Sequence, residues 1–107
     1  MKIYSLKEMK RGWFIGDFNP SVLRTSDFEV GLLTHKKNEV WPIHVHKLCI
    51  EYNLLVEGRM TINGVSISPG TIFVIDKNEI SAPTFLEDCL ILCVKTPSIP
   101  RDKYEIF

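Results

Sequence analysis

His44-Val45-His46, followed by Glu51, is the stretch whose residue types and spacing could do chemistry. Residues i and i+2 of a strand point to the same face, roughly 6.5–7 Å apart. Two imidazoles at that separation can converge on one cation, with metal–nitrogen bonds of about 2.0–2.1 Å. Glu51 has the opposite parity to both histidines. It joins them only if a turn at Lys47 to Cys49 breaks the strand register, or if it arrives from a neighbouring strand. Lys47-Leu48-Cys49 is not an obvious turn by composition. On residue types alone, the histidines are better explained as ordinary strand residues, and Glu51 reads equally as a solvated carboxylate at a strand edge.

The elements that must position these residues read as short strands separated by turns. Residues 28–34, 40–46 (interrupted by Pro42), 50–56, 59–63, 65–67, 71–75, 80–86 (broken by Pro83) and 90–94 are the strand candidates. Asn63-Gly64 is the strongest hairpin signal, because both residues accept positive φ. Pro69-Gly70 marks another turn, residues 17–27 a loop, and Gly31 a bulge or a close backbone approach. Pro83 confines 80–86 to a sheet edge if it is a strand. Ser5-Leu6-Lys7-Glu8 fits a capping box that could start one helical turn ended by Gly12. No amphipathic helix of ten or more residues, internal repeat or low-complexity segment is present. About eight short strands with frequent turns predict an all-β sandwich or barrel.

Composition bounds the function. A chain of 107 residues makes one domain. Thirteen Lys and Arg balance thirteen Asp and Glu, which argues against nucleic acid as the partner. The hydrophobic fraction of 45% and the charged fraction of 24% are ordinary for a globular domain. No apolar run approaches the ~20 residues of a membrane span, so no membrane partner is expected. Residues 1–13 lack the apolar stretch and cleavage site of a signal peptide. On one strand Cys89 and Cys93 would lie about 13 Å apart, beyond disulfide reach. Reduced thiols and a cytoplasmic location are therefore expected.

The stretch H-V-H-K-L-C-I-E-Y-N-L-L-V-E-G resembles the first motif of the cupin superfamily: HxH, three or four residues, Glu, six residues, Gly. His44, His46, Glu51 and Gly58 fall in place. Gly70 resembles the opening glycine of the second motif. Counting onward puts Thr71, Asp76 and Asn78 where the family has an acidic residue, a proline and a second glycine. Asn38 takes the place of the glycine usual before the first histidine, and Ser81 that of the family's fourth ligand, a histidine. The resemblance implies a single-domain cupin-type β-barrel, jelly-roll-like with little helix, over residues 28–95. Residues 1–27 would join the barrel or a dimer interface, and residues 96–107 would form a tail draped over the surface.

The same resemblance implies a divalent ion (Fe, Mn, Ni or Zn) on His44, His46 and Glu51, and a homodimer. In that register Glu51, Asn53 and Leu55 face the interior, and Asn53 binds the ligand. The ligand expected is a small polar molecule, either a carbohydrate or an organic acid. The rival reading is a non-catalytic, metal-free ligand-binding or sensing module, and a third is a structural subunit. Elsewhere, His35 reads as a surface histidine, though it is the only substitute ligand in the sequence. Cys49, Cys89 and Cys93 read as small buried hydrophobes. Trp13, Trp41, Phe73 and Phe85 read as core, dimer-contact or cavity-mouth residues. Glu87-Asp88, Lys36-Lys37 and Arg101-Asp102-Lys103 read as solvated charges.

Overall fold

In the computed structural model, which describes residues 1–106, runs of β-branched and aromatic residues form the strands. These are β1 (Trp13–Ile15), β2 (Glu29–His35), β3 (His44–Val45), β4 (Ile50–Glu57), β5 (Met60–Ile62), β6 (Val65–Ile67), β7 (Ile72–Ile75), β8 (Pro83–Phe85), β9 (Cys89–Thr96) and β10 (Tyr104–Glu105). A 3-10 turn at Leu6–Glu8 is the only helix among the described residues. The Ser5 hydroxyl caps it by accepting from the Lys7 N–H.

Three sheets result: five strands in the order β1-β2-β9-β4-β7, three in the order β6-β5-β8, and the pair β10-β3. All named pairs are antiparallel. The expected barrel is therefore not one continuously hydrogen-bonded cylinder. An isolated bridge between His44 and Ser81 ties β3 to the residues just before β8.

Alternation along the two longest strands places the core. In β9, Cys89, Ile91 and Cys93 are buried while Leu90, Leu92 and Val94 are only half-buried. In β4, Asn53 and Leu55 are buried and Tyr52 and Val56 are exposed, as expected. Leu55, Met60, Ile62, Ile67, Ile75, Phe85, Cys89 and Ile91 form the core, with Trp41 and Phe73 packed against it. Full burial of a side chain such as Leu55 or Phe85 contributes roughly 1.5–3 kcal/mol. All three cysteines are free and buried.

The turns follow local chemistry. Asn63 and Gly64 have φ of 51° and 78°, the double positive that a type I′ hairpin needs between β5 and β6. Asn38 and Asn78, standing where the resemblance expects glycines, each adopt φ of 63°. Asn tolerates this left-handed geometry better than most residues. Proline explains the shortened strands. Pro42, which has no N–H, precedes a β3 of only two residues, and β8 begins at Pro83 and pairs on one side only.

Two segments depart from expectation. Residues 13–15, read only as lying beyond a helical turn, form β1 and pair with β2 at Trp13↔Gly31 and Ile15↔Val30. Gly31 gives the close approach its type suggested, since a Cβ there would lie 2.6 Å from the Trp13 ring. Past Thr96 the chain does not simply drape: β10 pairs with β3 at Tyr104↔Val45 and Glu105↔His44. Among the described residues no helix is long and apolar enough to cross a membrane.

Gly58 turns β4 into β5 at φ of 94°, and a Cβ there would press on the Asp88 carbonyl and lie 2.9 Å from the Cys89 Cα. Neither contact can be relieved by a rotamer change. Gly58→Ala is therefore expected to lose about 2 kcal/mol or more of stability, read as a lowered midpoint in urea unfolding.

Candidate functional site

His44 opens β3, His46 lies one residue past its end, and Glu51 is the second residue of β4. The register break that Glu51 needed is present at Lys47 to Cys49, and its cause lies in the tail. The Asp102 carboxylate accepts the N–H of Lys47, Leu48 and Cys49 at 3.1, 2.9 and 3.0 Å. Three residues with no turn propensity are thus held in a turn by a carboxylate more than fifty positions away. Asp102 is buried, so its reading as a solvated charge was wrong.

The imidazoles are oriented from behind. His44 Nδ1 donates to the Pro42 carbonyl at 2.9 Å, and His46 Nδ1 donates to the Asp102 carbonyl. A carbonyl oxygen carries no proton, so the proton sits on each Nδ1 and the Nε2 lone pairs are free when the rings are neutral. The histidines are 5% and 2% exposed, respectively, and their rings meet edge to face with centroids 5.0 Å apart. His46 Nε2 lies 3.2 Å from Glu51 Oε2 yet has no hydrogen-bond partner. Two acceptor atoms at that distance in a buried site repel unless positive charge sits between or beside them. A proton on Nε2 or a bound cation would supply it. Two ligand atoms each about 2.1 Å from one ion, at angles of 90–110°, lie about 3.0–3.4 Å apart. His46 and Glu51 thus have the spacing of two ligands on one ion, whereas His44 does not join them in a group whose donor atoms all lie within 4.8 Å of one another. His46 and Glu51 touch, and His44 stands one ring away.

Burial raises the Glu51 pKa, but His46, when its Nε2 carries a proton, and the Lys95 ammonium at 4.0 Å outweigh it and bring it to about 2. The carboxylate is ionised at neutral pH. Burial lowers the pKa of His44 below 6.5; the hydrogen bond to the Pro42 carbonyl opposes it and the Lys103 ammonium adds to it. A neutral imidazole with its lone pair available is the form favoured near neutral pH.

A cavity of about 710 Å³ opens beside these groups, lined also by Asn53, Ser81, Trp13, Trp41, Phe73 and Phe85. Asn53 is buried, and its Nδ2 has no hydrogen-bond partner. Ser81 is buried and exchanges both backbone hydrogen bonds with His44, at 2.8 and 3.2 Å.

His35 is not a surface residue. Its ring stacks on Phe85 at 4.3 Å, meets the Trp41 edge at 5.1 Å, and holds the Glu39 carboxylate at 2.6 Å through Nδ1. Sequence reasoning also passed over Lys95, a lone cation on a buried strand. Its place on the inner face follows from the alternation of β9.

His46, Cys49 and Asp102 bring donor atoms within 4.8 Å of one another, a second grouping that could hold an ion. Its donors are engaged elsewhere. The Asp102 carboxylate receives three N–H groups, and His46 Nδ1 is committed to a carbonyl. Burial, reinforced by the Asp102 carboxylate, pushes the Cys49 thiol up to about 12, so it stays protonated. This cluster serves as the buttress behind His46.

Antiparallel sheets of five, three and two strands around a cavity, with two histidines and a glutamate on its wall, define the class of fold: a double-stranded β-helix. Solved structures bear this out. A chain among the DMSP lyases RdDddP and RnDddQII superposes with a TM-score of 0.71 at 20% identity, covering 100% of this chain and 61% of its own. An uncharacterised conserved protein with a double-stranded beta-helix domain from Klebsiella pneumoniae gives 0.66 at 19% identity, covering 91% and 85%. A cupin-2 domain containing protein from Shewanella frigidimarina gives 0.53 at 21% identity, covering 68% and 72%. The chain therefore has the fold of small cupin domains. No protein-family model and no curated protein matches its sequence.

Burial raises the Asp102 pKa, but the N–H groups of Leu48, Lys47 and Cys49 outweigh it and hold the carboxyl below 3.8. Its stabilisation is thus present above that value and lost as pH falls through the lowered folded pKa. Asp102→Ala is expected to cost roughly 3 kcal/mol at pH 7, by orphaning three N–H groups. In chemical denaturation the gap from wild type should narrow below pH 3.8.

Proposed function

We propose that this protein binds a divalent metal ion (Fe, Mn, Ni or Zn) through His44, His46 and Glu51, and a small polar ligand in the adjoining cavity. The observation that carries this reading is the buried His46 Nε2, which lacks a hydrogen-bond partner and faces the Glu51 carboxylate at 3.2 Å. Two histidines and one carboxylate leave coordination positions open, a donor set that suits Fe(II) and related ions. When bound, the ion would supply Lewis acidity toward a ligand carbonyl or hydroxyl. The chain's own residues do the positioning. The carbonyls of Pro42 and Asp102 hold the two imidazoles in one tautomer, and the free Asn53 Nδ2 donates to a ligand oxygen. Ser81, at the position of the family's fourth histidine, leaves room there for the ligand. The similar folds include lyases of DMSP as well as a protein of no assigned activity, so fold alone does not select a reaction.

One observation favours the metal-free reading instead. The Lys95 ammonium lies 4.0 Å from Glu51 and 3.8 Å from Glu29, so an internal cation already stands near the carboxylate. A ligand-binding or sensing module could rest on that balance alone.

We also propose a homodimer. On the outer face of the large sheet, Val30, Leu32, Leu92, Val94, Tyr52, Leu54, Ile72 and Val74 lie side by side across β2, β9, β4 and β7. No charge interrupts them, and Ile72 and Val74 are 69% and 48% exposed. An uncharged apolar sheet face of this kind is self-complementary about a two-fold axis.

Protein purified without a polyhistidine tag is expected to carry about one metal ion per chain by elemental analysis. His46→Ala and Glu51→Gln should each weaken binding at least about ten-fold. A folded wild-type protein that takes up none of the four metals refutes the metal reading and leaves the Lys95-balanced module. In light scattering, Ile72→Lys/Val74→Lys is expected to convert a dimer into a monomer with unchanged metal content. A monomeric wild type refutes the dimer.

A further inference from the structure

The main cavity shares a wall with a second pocket of about 390 Å³. Lys10, Arg11, Lys95, Arg101 and Lys103 line this pocket, in a chain whose formal charge is zero. Its two carboxylates are already engaged. Asp102 holds the turn at Lys47 to Cys49. Glu29 accepts the Ser98 hydroxyl at 2.8 Å and lies 3.8 Å from the Lys95 ammonium. Among the described residues no carboxylate pairs with Arg11 or Lys103.

Arg11, Lys95 and Lys103 line both spaces and so mark their junction. The Lys103 ammonium sits 4.1 Å from the Trp41 ring centre, and that of Lys95 5.0 Å from Trp13. An aromatic face attracts a cation without neutralising it. Burial lowers the Lys103 pKa, and repulsion from Lys95 and Arg11 lowers it further. Arg11 and Lys103, both exposed and, among the described residues, without a carboxylate partner, stand beside Lys95, which Glu29 and Glu51 flank, and together they make a potential that draws in anions.

We propose that Arg11, Lys95 and Lys103 form an anion subsite where the two pockets meet, taking the carboxylate or phosphate end of a small organic anion whose other end lies in the larger cavity. The subsite stands on the basic cluster itself; only the placement of the ligand's other end beside His44, His46 and Glu51 rests on the metal reading. The Arg11 guanidinium suits a planar two-oxygen group, and the two lysines add point charges. This selects an acid over a neutral carbohydrate as the ligand.

The test is calorimetric titration of the chelator-treated full chain with succinate, inorganic phosphate and the neutral isostere succinamide. At least one anion is expected to bind, more weakly as salt is raised, with no binding of succinamide. Whether succinate or phosphate binds distinguishes the carboxylate from the phosphate. Arg11→Gln/Lys103→Gln should weaken the anion at least ten-fold, Lys103→Gln alone should weaken it less, and Lys103→Arg should retain it. The proposal is overturned if neither anion binds, if succinamide binds equally well, or if the double variant binds like wild type. Metal titration of the same proteins separates the two readings. Anion binding without metal uptake keeps the subsite and refutes the metal centre, and metal uptake without anion binding does the reverse.

Discussion

A single buried ring, the His46 imidazole, is gripped on both sides by parts of the chain that are distant in sequence. Its Nδ1 is tied to the backbone of Asp102 and its Nε2 faces Glu51. The same Asp102 uses its carboxylate to hold the turn at Lys47 to Cys49. That turn breaks the strand register and so lets Glu51 reach His46. Tail, turn and site are therefore one mechanical unit. A carboxylate accepting three N–H groups in a buried place resists displacement, because releasing it would strand three donors and a charge.

Charge balance is the second theme. Glu51 remains ionised in a largely buried position because a protonated His46 and Lys95 outweigh the cost of burial. The competing pictures of the cavity differ in what completes that balance: an ion in contact with His46 and Glu51, or the ammonium of Lys95 nearby. Both need the carboxylate charged, the imidazoles fixed from behind and an apolar stretch of cavity wall. The aromatic residues Trp13, Trp41, Phe73 and Phe85 supply that wall, and they sit on or beside strands from three different parts of the chain.

Much of the frame was legible because it rests on local rules. The apolar runs at 50–56 and 90–94 give the strands β4 and β9, and the resemblance to cupins gives the inward face of β4. Asn63-Gly64 gives the hairpin, and Pro42 and Pro83 account for the short strands beside them. The asparagines at 38 and 78 behave as the glycines they replace. What escaped has a common cause. The three-residue β1 and the two-residue β10 are too short to carry a periodic signal, and they exist because β2 and β3 offer them free edges. His35 next to two lysines looks like a surface group, and only the packing of Phe85 and Trp41 around it shows otherwise.

The amino-acid order by itself determined that this is an all-strand chain and singled out His44, His46 and Glu51, while the inward row at Glu51, Asn53 and Leu55 was implied by the resemblance to cupins. It could do so because strand parity and turn preference act over a few residues. Tertiary structure alone decided that His46 and Glu51 meet, that Asp102 underpins them, and that Arg11, Lys95 and Lys103 converge. Those outcomes depend on hydrogen bonds and charges between segments some fifty residues or more apart, whose energies no local pattern encodes.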